Sequence, residues 1–307
     1  MMFRLKNSIA RTCFDYRTRN IFATGPLRLD PSSGFGLLSQ IRHADLTMYL
    51  LAVKSFSSRL APASVHIVDD GSLTCEDRRL LAQHIPGHVM LRAEDFRRSD
   101  CPRGGTWERL IAIAHLVKDR YTIQLDADTL TLDTVPEVAE CVRTNTSFAI
   151  GTWDQQTPET MKERREVALR HVQGERPHIQ LIAESRLDAL DNFDSMLYIR
   201  GCSGFSGFAK GCIVPDRLGA WSNQMRAVTG DRWSDWGTEQ FMSNIVVANS
   251  QSSRVLPHPR YCDCTRYVAG QAAFVHFIGT CRFKGGHYAK TAGQLIARLS
   301  DITRKGS

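Results

Sequence analysis

The chain has 307 residues, of which 42% are hydrophobic and 23% are charged. This composition is ordinary for a folded globular protein and excludes an intrinsically disordered one. Lysines and arginines (39) outnumber aspartates and glutamates (32), which gives a net charge of +7. The mild basic excess favours an anionic partner, such as nucleotide phosphates, an acidic glycan or an anionic membrane surface, and is too diffuse to indicate nucleic acid.

Membrane-spanning segments are not predicted, because Arg42, His43 and Asp45 interrupt the most apolar early stretch. The first 20 residues are basic but lack the apolar core of a signal peptide. They indicate a frayed polar leader, with an amphipathic surface helix as the alternative. We therefore expect a cytoplasmic protein and leave open a peripheral contact with the inner face of a membrane.

Nine cysteines, an odd number, are scattered from Cys13 to Cys281. In a chain of this length the pattern predicts reduced thiols in a cytoplasmic protein. Cys262 and Cys264, with His258 nearby, raise the alternative of a metal knuckle, but their spacing fits no usual zinc pattern. Ordinary buried thiols are the favoured interpretation.

Apolar runs and helical periodicity alternate through the first 125 residues. The predicted strands cover 35–41, 64–70, 88–92 and 121–125. The predicted helices cover 44–60, 73–87 and 104–119, and Thr74 and Asp77 have the spacing of a helix-capping pair. This alternation predicts an α/β fold with a mostly parallel central sheet flanked by helices.

The second part of the chain is more irregular. It contains a polar helix and loop (154–178), a short helix (179–190), a glycine-rich strand (195–211), a polar loop entering a helix (233–249) and a strand ending in a basic loop (272–286). These segments indicate a mixed second half joined to the parallel sheet.

Acidic residues follow two of the predicted strands. Asp69 and Asp70 end the second strand, and Asp126 and Asp128 end the fourth. Ligands of parallel α/β sheets bind beyond the carboxyl ends of the strands. The Asp-x-Asp pair offers hard oxygen ligands for Mn²⁺ or Mg²⁺, which in turn binds diphosphate oxygens. A turn or helix cap is the alternative interpretation of such a pair.

The order of "VDDGS", "LDAD", "GFSGF", "GTEQ" and "HFIG" followed by a lysine resembles a glycosyltransferase of the GT-A fold, over residues 35 to about 290. "HFIGTCRFK" is similar to the H-x-G-x-x-K-P-W motif of glycosyltransferase family 8, the glycogenin and lipopolysaccharide galactosyltransferase group. Four residues separate Gly279 from Lys284, where the motif has two, and no Pro-Trp follows.

The resemblance implies roles for individual residues. Asp126 and Asp128 would bind the metal with His276 as third ligand. The donor would contact a set of residues that also includes the metal-binding pair: Asp69, Asp70, Arg109, Asp126, Ala127, Gly204, Gly207, Gly279 and Lys284. Within this set, Asp69 or Asp70 would contact the nucleobase, Gly279 and Lys284 the diphosphate, and Gly204 and Gly207 would line the donor sugar.

Several of these roles have alternatives. Strand alternation places His276 opposite Val275 and Phe277, as a ligand or as a core imidazole. The glycine-rich strand is otherwise an edge strand. Arg109 is otherwise a solvated arginine.

The catalytic candidates are Glu239 and Gln240. Glu239 would be the general base of an inverting enzyme. In a retaining enzyme either residue would stabilise an oxocarbenium-like state, and the "HFIG" motif favours retention. Trp233 and Trp236 form an acceptor platform or pack in the core.

The sequence therefore predicts a nucleotide-sugar-binding half (35–130) and an acceptor half (131–307) of one GT-A domain after an N-terminal arm (1–34). The predicted enzyme is a metal-dependent hexosyltransferase that uses a UDP-sugar and a glycan, lipid-linked or protein acceptor. A nucleotidyltransferase acting on a sugar phosphate, or an inactive sugar-nucleotide-binding relative, is the alternative.

Overall fold

A computed structural model describes residues 2–174, 176–279 and 281–305. The α-helices are α1 (Met2–Thr18), α2 (Leu46–Ser57), α3 (Cys75–His84), α4 (Trp107–Leu116), α5 (Pro136–Arg143), α6 (Met161–His171), α7 (Ile179–Glu184), α8 (Pro215–Thr229), α9 (Thr238–Ala248) and α10 (His287–Lys305). The strands are β1 (Phe35–Ile41), β2 (Ser64–Asp69), β3 (Val89–Arg92), β4 (Tyr121–Leu125), β5 (Thr129–Thr131), β6 (Ser147–Gly151), β7 (Glu159–Thr160), β8 (Leu197–Tyr198), β9 (Gly201–Phe208), β10 (Ser253–Leu256), β11 (Tyr261–Asp263) and β12 (Phe274–His276).

A seven-stranded central sheet has the strand order β10-β6-β9-β4-β1-β2-β3. Neighbouring strands run parallel, except that β9 is antiparallel to both β4 and β6. The predicted α/β fold with a mostly parallel sheet is therefore confirmed. The carboxyl ends of β1, β2, β4 and β6 lie at one edge, where ligands of such sheets bind.

Hydrophobic side chains cover both faces of this sheet. Successive residues on β1 enter different clusters, since Leu37 belongs to the cluster that includes α2 and α10, whereas Leu38 belongs to the one that includes α4, α8 and α9. The alternation follows from the two-residue repeat of a strand that is buried on both faces. The predicted capping box at Thr74 and Asp77 is present and fixes the start of α3.

A smaller three-stranded sheet, β11-β12-β5, lies beside the central one. β12 is antiparallel to β5, with His276 opposite Thr129, and β11 is parallel to β12. Because β5 begins three residues after Asp126, this small sheet brings the end of β12 to the Asp-x-Asp segment.

The N-terminal arm differs from the expected frayed leader. It forms α1, and the Phe14 ring is buried with its centroid 4.3 Å from that of Tyr288 in α10. Burial of this ring stabilises the helix against the fold. No helix in the described part of the chain is long and apolar enough to cross a membrane.

The prediction of reduced thiols throughout is wrong at one pair. Cys264 and Cys281 form a disulfide with their Cα atoms 5.9 Å apart. The pairing of β11 with β12 explains it, since the turn after β12 returns Cys281 to the end of β11. The other cysteines of the described residues are free, and Cys262 is buried. Because Cys264 is oxidised in this disulfide, it offers no thiolate for a zinc knuckle with Cys262.

Candidate active site

The Asp-x-Asp segment lies at the carboxyl end of the buried strand β4. Asp126 donates its backbone N–H to the carbonyl of Gly204 at 2.9 Å, and the Thr129 hydroxyl donates to the Asp126 carbonyl at 2.8 Å. Asp128 is buried and Ala127 lies between the two acids with little exposure. These backbone bonds hold both carboxylates at the ligand-binding edge of the sheet.

His276 reaches these carboxylates through the small sheet. The N–H of Phe277 donates to the Asp128 carbonyl at 2.7 Å. The Nε2 atom of His276 then lies 3.2 Å from Asp128 Oδ1 and 3.9 Å from Asp126 Oδ2. One ligand atom from each residue lies within 4.8 Å of the others. The structure thus brings together the three residues that the sequence predicts as metal ligands.

Gly204 makes room for this arrangement. A Cβ atom at this position would overlap the imidazole ring of His276. The ring therefore lies directly against the backbone of β9, which is the close approach that glycine permits.

Burial and the neighbouring charges shift the pKa values of the three residues in this cluster. Burial raises the pKa of Asp126, although Arg109 and His276 oppose the shift. Burial also acts to raise the pKa of Asp128, but His276 and Arg282 outweigh it and lower the pKa to about 2. The pKa of His276 is raised well above its usual range, because Cys202 and Asp128 outweigh the opposing effect of burial. Both shifts favour the charged forms of Asp128 and His276, whose Oδ1 and Nε2 atoms lie 3.2 Å apart.

Two arginines complete the charge balance. Arg109 is buried in α4, pairs with Asp126 and lies 3.1 Å from a Glu239 oxygen, so it is not a solvated arginine. Arg282 pairs with Asp128 and donates its Nε to the Phe277 carbonyl at 3.0 Å. Two carboxylates and an imidazole between two guanidinium groups fit a divalent cation that carries an anionic ligand.

Glu239 and Gln240 begin α9 on the other side of Arg109. Glu239 Oε2 accepts a hydrogen bond from the Thr106 hydroxyl at 3.0 Å. Its Oε1 is buried and has no hydrogen-bond partner within the described part of the protein. Burial raises the pKa of Glu239. Gln240 accepts from the Ser203 N–H at 3.3 Å and donates to the side chain of Gln180 at 3.0 Å.

The sequence matches no protein-family model and no curated protein. Among solved structures, the apo bifunctional glycosyltransferase WbbM matches with a TM-score of 0.51 at 12% identity, over 92% of this chain and 53% of WbbM. This chain therefore spans about half the length of WbbM. The structural similarity to WbbM, which extends over 92% of this chain, identifies the fold. The chain has the GT-A glycosyltransferase fold.

Two further solved structures are similar. The galactosyltransferase LgtC, in complex with donor and acceptor sugar analogues, matches with a TM-score of 0.49 at 14% identity, over 84% of this chain and 95% of LgtC. Mouse xyloside xylosyltransferase 1, in its apo form, matches with a TM-score of 0.44 at 12% identity, over 80% of this chain and 98% of its own.

Asp69 and Asp70 lie at the same edge of the GT-A sheet as the cluster, but two strands away on β2. Asp69 accepts from the Gly71 N–H at 2.8 Å and pairs with Arg78. Asp70 is exposed and accepts from the Ser72 N–H at 2.9 Å. Both aspartates therefore cap the turn after β2, and a nucleobase contact stays a prediction.

The remaining predicted donor-binding residues lie either in the core of the GT-A fold or on its surface. Gly207 lies inside the sheet opposite Ile123, where a Cβ would overlap Phe148 and Tyr121, so its lack of a side chain serves core packing. The structure does not bring it to the cluster. Gly279 and Lys284 are exposed beyond β12.

The two tryptophans have different environments. Trp233 is 0% exposed and its Nε1 donates to Ser222 at 3.0 Å, which makes it a core residue. Trp236 is 72% exposed, next to the start of α9. It is the one of the pair that remains available as an acceptor platform.

Sequence reasoning missed Arg282. Two residues separate it from Gly279, which is the spacing that the H-x-G-x-x-K-P-W motif gives its lysine. Lysine as a residue type points to Lys284 instead. The retained spacing, with an arginine in place of the lysine, was the available signal.

Proposed function

We propose that this protein is a metal-dependent glycosyltransferase that transfers a sugar from a nucleoside-diphosphate donor to a hydroxyl acceptor. The observation that carries the proposal is the convergence of Asp126, Asp128 and His276 at the ligand edge of a GT-A fold, with Arg109 and Arg282 bonded to the two carboxylates. A UDP-sugar is the proposed donor, and a glycan, lipid-linked or protein hydroxyl the proposed acceptor.

The donor set supports Mn²⁺ or Mg²⁺ as the cation. Asp126 and Asp128 supply the hard oxygen ligands and His276 supplies a nitrogen that suits Mn²⁺. When bound, the cation would act as a Lewis acid on the leaving diphosphate. The buried position of Asp128 and His276 keeps their charges unscreened by water.

Arg109 and Arg282 are the proposed partners of the diphosphate. Each guanidinium already bonds a carboxylate of the cluster, and Arg109 also bonds Glu239 while Arg282 also donates its Nε to the Phe277 carbonyl. The remaining N–H groups of each arginine are charged donors that suit phosphate oxygens. With the two carboxylates compensated by a bound cation, Arg109 and Arg282 would direct N–H groups toward the phosphates. They would then stabilise the negative charge that grows as the glycosidic bond breaks.

The position of Glu239 favours retention. A general base must reach the acceptor hydroxyl, whereas Glu239 is buried and held by Arg109 and Thr106. The amide of Gln240, fixed between Ser203 and Gln180, would then face the oxocarbenium-like state.

Donor hydrolysis and sugar transfer with Mn²⁺, against the same reaction in EDTA, test the proposal. Asp126→Asn and Asp128→Asn should each abolish Mn²⁺-dependent turnover while the protein stays folded, because an amide keeps the shape but removes the charge that a hard cation needs. Asp133→Asn, an exposed acid on the same segment, is the matched control and should keep full activity.

Three results would contradict the proposal. Full activity in both Asp126→Asn and Asp128→Asn would remove the metal assignment. Consumption of nucleoside triphosphates with a sugar phosphate would identify a nucleotidyltransferase. Donor binding by thermal shift without any turnover, across a panel of UDP- and GDP-sugars, would identify an inactive relative.

A further inference from the structure

The imidazole of His276 has two ring nitrogens, and the candidate metal site involves only one of them. Nε2 faces the carboxylates, while Nδ1 lies 3.0 Å from the Sγ atom of Cys202 on β9. We propose that Cys202 is a positioning residue, whose sulfur accepts the Nδ1–H of His276 and thereby directs Nε2 to the cation. This inference rests on the metal site of the proposed function.

The partner of one ring nitrogen decides which nitrogen is free to bind a metal. Ligating histidines usually donate the second N–H to a carboxylate or a backbone carbonyl. Here the group at that distance is a thiol, which is a weak acceptor. Because His276 is buried, Cys202 is the group that must satisfy Nδ1–H in place of water.

The shape of β9 explains why Cys202 reaches the ring. Along the pairing of β6 with β9, Ala149 lies opposite Ser206, but the next residue, Ile150, lies opposite Cys202. The register shift leaves residues 203–205 without partners on β6, although Phe205 still pairs with Leu125 of β4. Such irregularities re-aim side chains next to binding sites. Cys202 and Gly204 therefore both face the imidazole.

The ring is consequently fixed in two ways. The Gly204 backbone lies against it so closely that a Cβ there would overlap it, and Cys202 engages Nδ1. Gly204 also accepts the N–H of Asp126, which ties the same short segment to the carboxylate side of the site. Cys202 itself lies outside the group of mutually close ligand atoms found in the described residues. Its role is to orient a ligand and not to be one.

Mn²⁺ affinity of the full-length protein without donor tests this role, with free Mn²⁺ measured by electron paramagnetic resonance. Cys202→Ala should weaken Mn²⁺ binding about 10-fold or more, the usual effect of removing a residue that orients a metal ligand. Cys202→Ser should restore most of the affinity, since a hydroxyl also accepts the Nδ1–H. Cys212→Ala removes a free cysteine beyond the other end of β9 and should leave the affinity unchanged.

A double-mutant cycle separates positioning from general destabilisation. In a His276→Ala background, Cys202→Ala should have no further effect on Mn²⁺ affinity, because Cys202 acts only through the ring. A structural role would weaken binding in both backgrounds. If Cys202→Ala does not fold, ¹⁵N-histidine NMR of the wild-type protein with Mg²⁺ decides, and should show His276 protonated at Nδ1.

The outcomes distinguish this inference from the proposed function. If His276→Ala weakens Mn²⁺ binding but Cys202→Ala does not, or if Nδ1 carries no proton, the role of Cys202 is overturned and the metal site stands. If the wild-type protein binds no Mn²⁺, the proposed metal site is contradicted, and so is the role of Cys202.

Discussion

Two basic residues at the end of the "HFIGTCRFK" segment differ in what they contact. Arg282 bonds Asp128 and the Phe277 carbonyl, whereas the Lys284 side chain is exposed. Arg282→Gln should raise the donor KM about 10-fold, which corresponds to roughly 1.4 kcal/mol and is modest for a charge-assisted phosphate contact. The measurement is steady-state kinetics at saturating Mn²⁺.

Lys284→Gln is the matched control, because it removes the same charge two residues further along the chain. Its donor KM should stay close to the wild-type value. Equal effects in the two variants would mean that the loop attracts the donor only through its net charge, and a larger effect at Lys284 would return the diphosphate contact to the lysine.

The sequence could predict the residues of the metal cluster and not their partners. Asp126, Asp128 and His276 are recognisable because their type and their place after apolar strands both point to a ligand. Arg282 is recognisable only by its spacing from Gly279, and Cys202 only through its contact with His276, which lies far away in the chain. The disulfide between Cys264 and Cys281 is hidden for the same reason, since cysteine spacing alone does not determine pairing.

At the scale of elements, helix α7 packs against helix α9, which carries Glu239 and Gln240 in its first turn. Gln240 donates to Gln180 of α7, and the Trp236 ring before α9 contacts the His178 ring at the start of α7 in an edge-to-face arrangement. Gly237, with a φ of 111°, brings the loop so close to His178 that a side chain there would crowd the ring. Trp236 is thus an exposed aromatic on a fixed support near the proposed catalytic residues Glu239 and Gln240.

Trp236→Ala should raise the acceptor KM about 3- to 10-fold, since an aromatic stacking contact is worth about 0.5–1.5 kcal/mol. The donor KM and the donor hydrolysis rate should not change, because the contacts of Glu239 and Gln240 do not involve the indole. Tyr16→Ala, an aromatic of similar exposure on α1, is the control. An unchanged acceptor KM in Trp236→Ala would exclude the platform.

Sequence periodicity predicted the elements that carry many apolar residues, and it missed several short strands, such as β5. β1, β2, β4 and α4 are confirmed because each buries a continuous apolar face. The three-residue strand β5 has no pattern of its own, and its pairing with β12 joins distant parts of the chain. The small sheet that brings His276 to the acids therefore could not be predicted from local sequence.

At the scale of the whole molecule, two buried histidines outside the site couple folding to pH. His84 lies 2.9 Å from the ammonium of Lys54, and His66 lies 3.0 Å from the Ser64 hydroxyl near Arg120. Burial, with the adjacent Lys54 or Arg120 charge, lowers the pKa of each histidine to about 4. Both are therefore neutral in the folded protein at pH values where the unfolded chain takes up a proton.

This difference fixes the sign of the pH dependence. Between pH 6.5 and 4 the unfolded state binds more protons, so the free energy of unfolding should fall as the pH falls through this window. Each histidine should lower the free energy of unfolding by up to about 3 kcal/mol across this window, because each unit of difference between the folded and unfolded pKa corresponds to roughly 1.4 kcal/mol. Urea unfolding at a series of pH values measures the slope, and the loss should precede the protonation of Asp128, whose pKa is about 2.

Replacing the histidines distinguishes their contribution from that of the carboxylates. His66→Gln and His84→Gln should each flatten the profile between pH 6.5 and 4 and leave the steeper loss at lower pH, because glutamine keeps hydrogen-bonding atoms but cannot take up the proton. Ser64 and Lys54 remain as partners in the two variants. His171→Gln, on the exposed end of α6, should leave the profile unchanged. A wild-type protein whose stability is constant across this window would show that both imidazoles gain solvent before the fold is lost.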